Sequence, residues 1–191
     1  MKYFKKLVGD RIYLSPLNTE DAEKYAEWLN DLEMSVNLQC APRIITSDKK
    51  IEVMKRMIND GNNFAIVDLK NDELIGNCGL MFTDFINGTA ELGILIGNPN
   101  YLNNGFGTEA INLLLDYGFN LLNLNNIILR VLSFNKRAIK CYEKCGFKII
   151  GRRRESVNIG GEKYDDIYMD ILNNEFKGKL KDFIKEKVIE I

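Results

Sequence analysis

Two segments of this chain carry residue types whose spacing suits chemistry on a phosphorylated ligand. In the first, Asn104-Gly105-Phe106-Gly107-Thr108, two glycines open what reads as a helix. A helix start leaves backbone N–H groups unpaired and carries partial positive charge, so an anion sits there favourably. With no Cβ at 105 or 107 the backbone can approach a ligand closely, and the N–H groups of Asn104 through Thr108 form a cradle for a pyrophosphate. The second segment runs from Asn135 to Phe147. It reads as a short helix capped by Asn135 and stopped at Gly146, and it carries Tyr142, a phenol whose ordinary pKa is about 10. Each segment also has a plainer reading. The glycines suit a left-handed entry into a core helix, and Ala138, Ile139, Tyr142 and Cys145 suit the packing face of an amphipathic one.

Several chemistries are excluded. The chain has 0 histidines, so a histidine triad, base or metal ligand is ruled out and proton transfer falls to Glu, Asp, Tyr, Lys, Cys or water. A dinucleotide-binding reading of Gly-x-Gly-x-x-Ala fits poorly, because residues 98 to 104 separate the glycines from the preceding strand and 127 to 134 lack the acidic residue that fold wants. No Lys-Ser or Lys-Thr follows the glycines, which excludes a Walker loop. The four cysteines, Cys40, Cys78, Cys141 and Cys145, match neither a disulfide framework nor a zinc site. Cys141 and Cys145 lie one helical turn apart and read as packing; with no histidine to activate a thiol, a covalent route through either is disfavoured. A net charge of -1 argues against nucleic acid. No apolar run is long enough to cross a bilayer and no signal-like segment opens the chain, which sets the expectation of a cytoplasmic protein without a membrane partner.

The positioning elements follow from periodicity. Residues 11–17 alternate like a half-buried strand, and 22–29 recur at helical spacing after Asn18 or Thr19. Residues 31–46 read as loop or irregular helix. Ser47 is placed to cap a helix carrying Ile51, Met54, Met57 and Ile58. Strands are expected over 64–69, 74–82 and 90–97, with an Asn87-Gly88 hairpin turn. A greasy helix follows from about Gly105 to Leu122, then an apolar strand over 127–132. A last hairpin, 147–157 with 164–171, turns at Gly160-Gly161. The tail suits a helix with Phe176, Leu180, Phe183, Ile184 and Val188 on one side, packed on its own domain or on a second copy as a homodimer. The order β-α-α-β-β-β-α-β-α-β-β-α implies an α/β fold.

The string Asn-x-x-Ala-Ile-x-x-Tyr-Glu-x-x-Gly-Phe (starting at Asn135), one strand after the glycine helix, resembles the GNAT N-acetyltransferases, in particular the ribosomal-protein and polyamine (spermidine) branch. Arg11 to Leu29, Ala90 to Ile96 and Tyr164 to Met169 resemble that family's opening strand and helix, central strand and closing strand. The resemblance implies a single-domain α/β fold with a mixed, mostly antiparallel central sheet flanked by helices over residues 1–172, and a C-terminal helical extension over 173–191. Leu102-Asn103-Asn104 departs from the family, many of whose members carry Gln, Arg or Trp at the first position; the backbone cradle is kept and a cationic side chain is dropped.

The resemblance further implies acetyl-coenzyme A as cosubstrate and no metal. Leu95, Ile96 and Gly97 are expected to pair with the pantetheine arm as a peptide adds a strand. Leu102, Asn103, Asn104, Gly105, Phe106, Gly107 and Thr108 are expected at the pyrophosphate, and Asn135 with Lys136, Arg137 and Ala138 on the arm's other side. Tyr142 is expected to protonate the leaving thiolate as general acid, with Glu91 as base through a water. The acceptor is a protein N-terminus, a polyamine or another small amine, in a groove between residues 30–46 and the hairpin near 155–164, where Asp31, Glu33, Glu155 and Glu162 are candidates to attract it. A non-catalytic acyl-coenzyme A sensor on the same fold is the alternative.

Overall fold

The computed structural model describes residues 2–38 and 40–189. Eight strands form one sheet: β1 (Leu7–Val8), β2 (Ile12–Pro16), β3 (Asn63–Asp68), β4 (Leu74–Asp84), β5 (Thr89–Ile96), β6 (Asn126–Leu132), β7 (Lys148–Ile159) and β8 (Glu162–Leu172), in the order β1-β2-β3-β4-β5-β6-β8-β7. Every neighbouring pair is antiparallel except β5 with β6. The helices are α1 (Ala22–Asn30), α2 (Leu32–Val36), α3 (Ser47–Asp60), α4 (Phe106–Asn120), α5 (Lys136–Lys144) and α6 (Leu180–Ile189). The mixed, mostly antiparallel sheet expected from the sequence is therefore present.

Two cores hold the helices to opposite faces of the sheet. Ile12, Leu14, Phe64 and Ile66 point to the face covered by α4, where Ile111, Leu114 and Phe119 meet them. Their neighbours in sequence, Tyr13, Ala65 and Val67, point to the face covered by α1 and α3, against Tyr25, Trp28 and Met54. This is the period of two that a strand imposes. Strand β2, expected to be half-buried, is thus buried on both faces, because helices cover both.

Local signals account for the turns. Asp84 Oδ1 accepts from the backbone N–H of Ile86 and Asn87, and Gly88 takes φ 65° to close the β4–β5 hairpin. Gly160 and Gly161 take φ 64° and 87° in the β7–β8 turn, as a two-residue turn matched to strand twist requires.

Some expectations need correction. Thr46, not Ser47, caps α3, its hydroxyl accepting from Lys49 N–H at 3.3 Å. The stretch 31–46 contains α2, which Asp31 caps through Met34 N–H. Strand β1 has no counterpart in the expected order. Helix α4 stops at Asn120, leaving Leu121 exposed. In the tail Phe176 precedes the helix and packs on Phe119, whereas Phe183 and Val188 face solvent. The tail is anchored on its own chain by Asp116 Oδ2, which accepts from Lys179 and Leu180 N–H at the start of α6.

Candidate active site

Strands β5 and β6 run side by side for three residue pairs only, from Thr89↔Asn126 to Glu91↔Ile128. Beyond that β5 stays with β4 as far as Ile96↔Gly76, and β6 stays with β8 as far as Leu132↔Asp166. The sheet splits there, and residues 92–96 and 129–132 face each other across a wedge. Gly97 N–H donates to Ile75 O at 2.9 Å. Backbone groups alternate sides along a strand, so those of Leu92, Ile94 and Ile96 face the gap. A cleft of about 1010 Å³ occupies the wedge, at the upper end of the range for small-molecule sites.

The glycine turn closes one end of this cleft. Gly105 caps α4 with φ 82°, a left-handed conformation that favours glycine. The helix's first bond runs from Glu109 N–H to Gly105 O. The N–H groups of Phe106, Gly107 and Thr108 are therefore those that a helix start leaves unpaired. Gly107 lines the cleft, with its nearest non-neighbour atom, Ile96 Cγ1, 3.7 Å from where a Cβ would sit.

Helix α5 forms the opposite wall. Asn135 Oδ1 caps it by accepting from Ala138 N–H at 3.1 Å. Tyr142 lines the cleft, its ring edge-on to Phe147 at 5.9 Å. No hydrogen bond among the described residues engages its hydroxyl. Burial, reinforced by the neighbouring Cys141 and Cys145 thiols, pushes the phenol's pKa up, so the O–H persists as a donor. Cys141 lies 3.3 Å from Thr108 Oγ1, and Cys145 Sγ donates to Thr108 O at 3.9 Å. The two cysteines tie α5 to the first turn of α4.

Of the residues expected at the cofactor, Leu95, Ile96, Leu102, Asn103, Gly105, Gly107, Thr108, Asn135, Arg137 and Ala138 line the cleft. Gly97, Asn104, Phe106 and Lys136 lie outside its lining. Gly97 packs under Trp28, where a Cβ would come within 2.0 Å of the indole. Asn104 O accepts from Arg11 Nη1 at 2.8 Å, and the Phe106 ring lies 4.4 Å beneath the same guanidinium. Glu91 lines the cleft with Arg130, whose Nε donates to Glu91 Oε1 at 2.9 Å. The β7–β8 hairpin contributes nothing to the lining, nor do Asp31, Glu33, Glu155 or Glu162; Glu155 pairs instead with Lys163.

Two features escaped sequence reasoning. Arg11, just before β2, holds the glycine turn through a pairing no local pattern announces. The lining is also cationic. Arg137, Lys140 and Lys144 line the α5 wall; Arg43, Lys49 and Lys50 line the α2–α3 wall. Among the described residues Glu91 is the single carboxylate of the lining, and it is already paired. For Lys50 a signal did exist, since it precedes Met54 and Met57 by one and two turns on the apolar stripe of α3.

Residues 11–148 match the model of the acetyltransferase (GNAT) domain. The chain is 33% identical over 178 residues to the uncharacterized N-acetyltransferase p20 of Bacillus licheniformis, covering 90% of this chain and 98% of that one. It is 34% identical over 131 residues to the spermidine N(1)-acetyltransferase of Vibrio cholerae, covering 68% and 75%. The crystal structure of spermidine N-acetyltransferase from Vibrio cholerae in complex with CoA and spermine superposes with a TM-score of 0.79 at 30% identity, over 87% of this chain and 98% of that one.

Proposed function

Since the chain belongs to the acetyltransferase (GNAT) domain family and is an acetyl-coenzyme A-dependent acyltransferase, we propose that it moves an acetyl group to a primary amine by direct transfer in the β5–β6 cleft. The observation that carries this reading is the wedge itself. It places an unpaired strand edge, a glycine-opened helix start and a protonated phenol around one cavity.

The residues fit the cosubstrate. The N–H groups of Phe106, Gly107 and Thr108 suit a pyrophosphate, and the free backbone of Ile94 and Ile96 suits a pantetheine amide as an added strand would. Arg137, Lys140 and Lys144 add positive charge on the facing wall. Bound there, acetyl-coenzyme A supplies the activated carbonyl and the thiol leaving group.

Tyr142 then holds a proton for the departing sulfur. Backbone N–H groups of β5 hydrogen-bond the carbonyl oxygen as it gains charge. Glu91, kept in place by Arg130, accepts the amine's proton through a water. The acceptor is the amine of a small molecule or of a protein N-terminus. The homodimer and the cytoplasmic location belong to the same proposal. No helix is long and apolar enough to cross a membrane among the described residues, and sedimentation of the purified protein reads the oligomeric state.

The test is release of coenzyme A thiol on mixing the protein with acetyl-coenzyme A and a panel of polyamines, amino sugars, amino acids and Ser- or Ala-starting peptides. Release that depends on one amine class supports transfer. Tight coenzyme A binding with no release for any amine points to the sensor instead.

A further inference from the structure

We propose that the α2–α3 end of the cleft is an oxyanion site, and that the acceptor is an amine carrying a carboxylate or phosphate beside an apolar body. The acceptor assignment rests on the transfer reading above. Apart from Arg130, which pairs with Glu91, the cleft's cations fall into two groups with different duties. Those of α5 face the helix start that suits the cosubstrate's phosphates. Arg43, Lys49 and Lys50 lie on the other wall, past the split of the strands, where the cosubstrate's charge does not account for them.

Lys50 is the decisive member. It is only 8% exposed, yet it lines the cleft. Its Nζ sits 4.9 Å over the Tyr25 ring, and among the described residues no carboxylate pairs with it. Taking an ammonium out of water without a counter-ion is costly, and the ring face offsets only part of that cost. An incoming oxyanion would complete the pairing. Arg43, which lines the same wall, offers the planar fork that suits carboxylate or phosphate. The same wall also carries the apolar Leu29, Met34, Leu38, Val53 and Met57, with Asn37 and Cys40 among them. A polycationic acceptor would meet three like charges there, a disfavoured arrangement.

The experiment compares matched pairs on the whole protein: phenylalanine with phenylalaninamide, O-phosphoethanolamine with ethanolamine, and spermidine alone. Turnover is read by thiol release. Binding is read separately, by calorimetry of the coenzyme A-saturated protein with N-acetylphenylalanine and with N-acetylphenylalaninamide. A neighbouring carboxylate raises the amine's pKa, so the amide holds more free base at neutral pH. Reactivity alone therefore favours the amide, and a preference for the acid must come from the site.

The expected result is a preference of about tenfold or more for at least one anionic member over its neutral partner, the size of a charge-assisted hydrogen bond. The preference narrows towards unity in Lys50→Met, which keeps the chain length and removes the buried charge, and in Arg43→Leu. The carboxylate and phosphate arms tell the two oxyanion sources apart. Preference for the neutral members, spermidine as the best acceptor, or a preference that survives both substitutions would overturn the oxyanion site. Tighter binding of the N-acetyl acid with no turnover of any amine would uphold the site and overturn the transfer reading. Amine turnover with no anion preference in either assay would do the reverse.

Discussion

Arg11 and Glu109, 98 positions apart in sequence, clasp the start of α4 from both sides. Arg11 Nε lies 3.0 Å from Glu109 Oε2, while Glu109 Oε1 accepts from the backbone N–H of Arg11 at 2.8 Å and of Ile12 at 3.3 Å. The same guanidinium reaches Asn104 O. The edge of the sheet and the glycine turn are thereby one unit, so the cradle's shape depends on the residue just before β2.

Glu109→Ala should reduce stability by about 1–3 kcal/mol, because it strips the acceptor from two backbone donors, one of them on fully buried Ile12. It should also weaken coenzyme A binding by loosening the turn. Urea unfolding and a binding titration check both; unchanged stability would show that Glu109 is a solvated surface acid.

The two cradle glycines should respond differently to alanine. Gly105→Ala forces a side chain into φ 82° with its Cβ 3.2 Å from Arg11 Nη2, and should cost about 1–2 kcal/mol. Gly107 has helical geometry and 3.7 Å of clearance, so Gly107→Ala should fold with undiminished stability. Paired thermal melts separate them, and equal losses would contradict the assignment of strain to Gly105 alone.

Tyr142→Phe should lower turnover by about 100-fold or more while acetyl-coenzyme A still binds, as expected when a general acid is removed. The sign of the pH effect follows from the raised phenol pKa: as pH climbs past the ordinary value for tyrosine, Tyr142 keeps its proton. The pH–rate profile should therefore show no alkaline fall at about pH 10 from this group. A descending limb there that vanishes in Tyr142→Phe would refute the burial argument.

The Cys141 thiol is pulled below the ordinary thiol range, first by its interaction with Cys145 and then, against the cost of burial, by Thr108, Lys144 and Arg137. Burial pushes Cys40 and Cys78 the other way. Iodoacetamide at neutral pH should label Cys141 first, the rate levelling at a lower pH than it does for an ordinary thiol, and coenzyme A should protect it because it lines the cleft. Cys141→Ala should keep most of its turnover under direct transfer, whereas a covalent route through this thiol demands near-complete loss. Mass spectrometry of the labelled protein and a single kinetic series decide between them.

Much of this molecule was legible because the governing contacts are local. The glycine turn, the Asn135 cap, the Asn87-Gly88 and Gly160-Gly161 turns and the strand alternation all depend on residues within a few positions of one another. Lys50 went unread, although a charge on the apolar stripe of Met54 and Met57 was a signal that could have found it. What failed in the reading failed where local preference is weak or overridden. Thr46 and Ser47 are equally good caps by type, and the packed position of α3 chose the former. Strand β2 reads as half-buried until helices from both sides cover it.

By itself the sequence determined most of the elements, though not β1 or the bounds of α2, together with the two segments that could face a phosphorylated ligand. Only the tertiary structure decided that they face one cavity, because the cleft exists where β4 holds β5 and β8 holds β6 after the two strands have paired for three residues. It alone joined Arg11 to Glu109 and Arg130 to Glu91, and gathered Arg43, Lys49 and Lys50 on one wall while leaving the surface acids outside. Those outcomes rest on strand pairing and charge placement between distant segments, whose energies are settled only when the whole sheet forms.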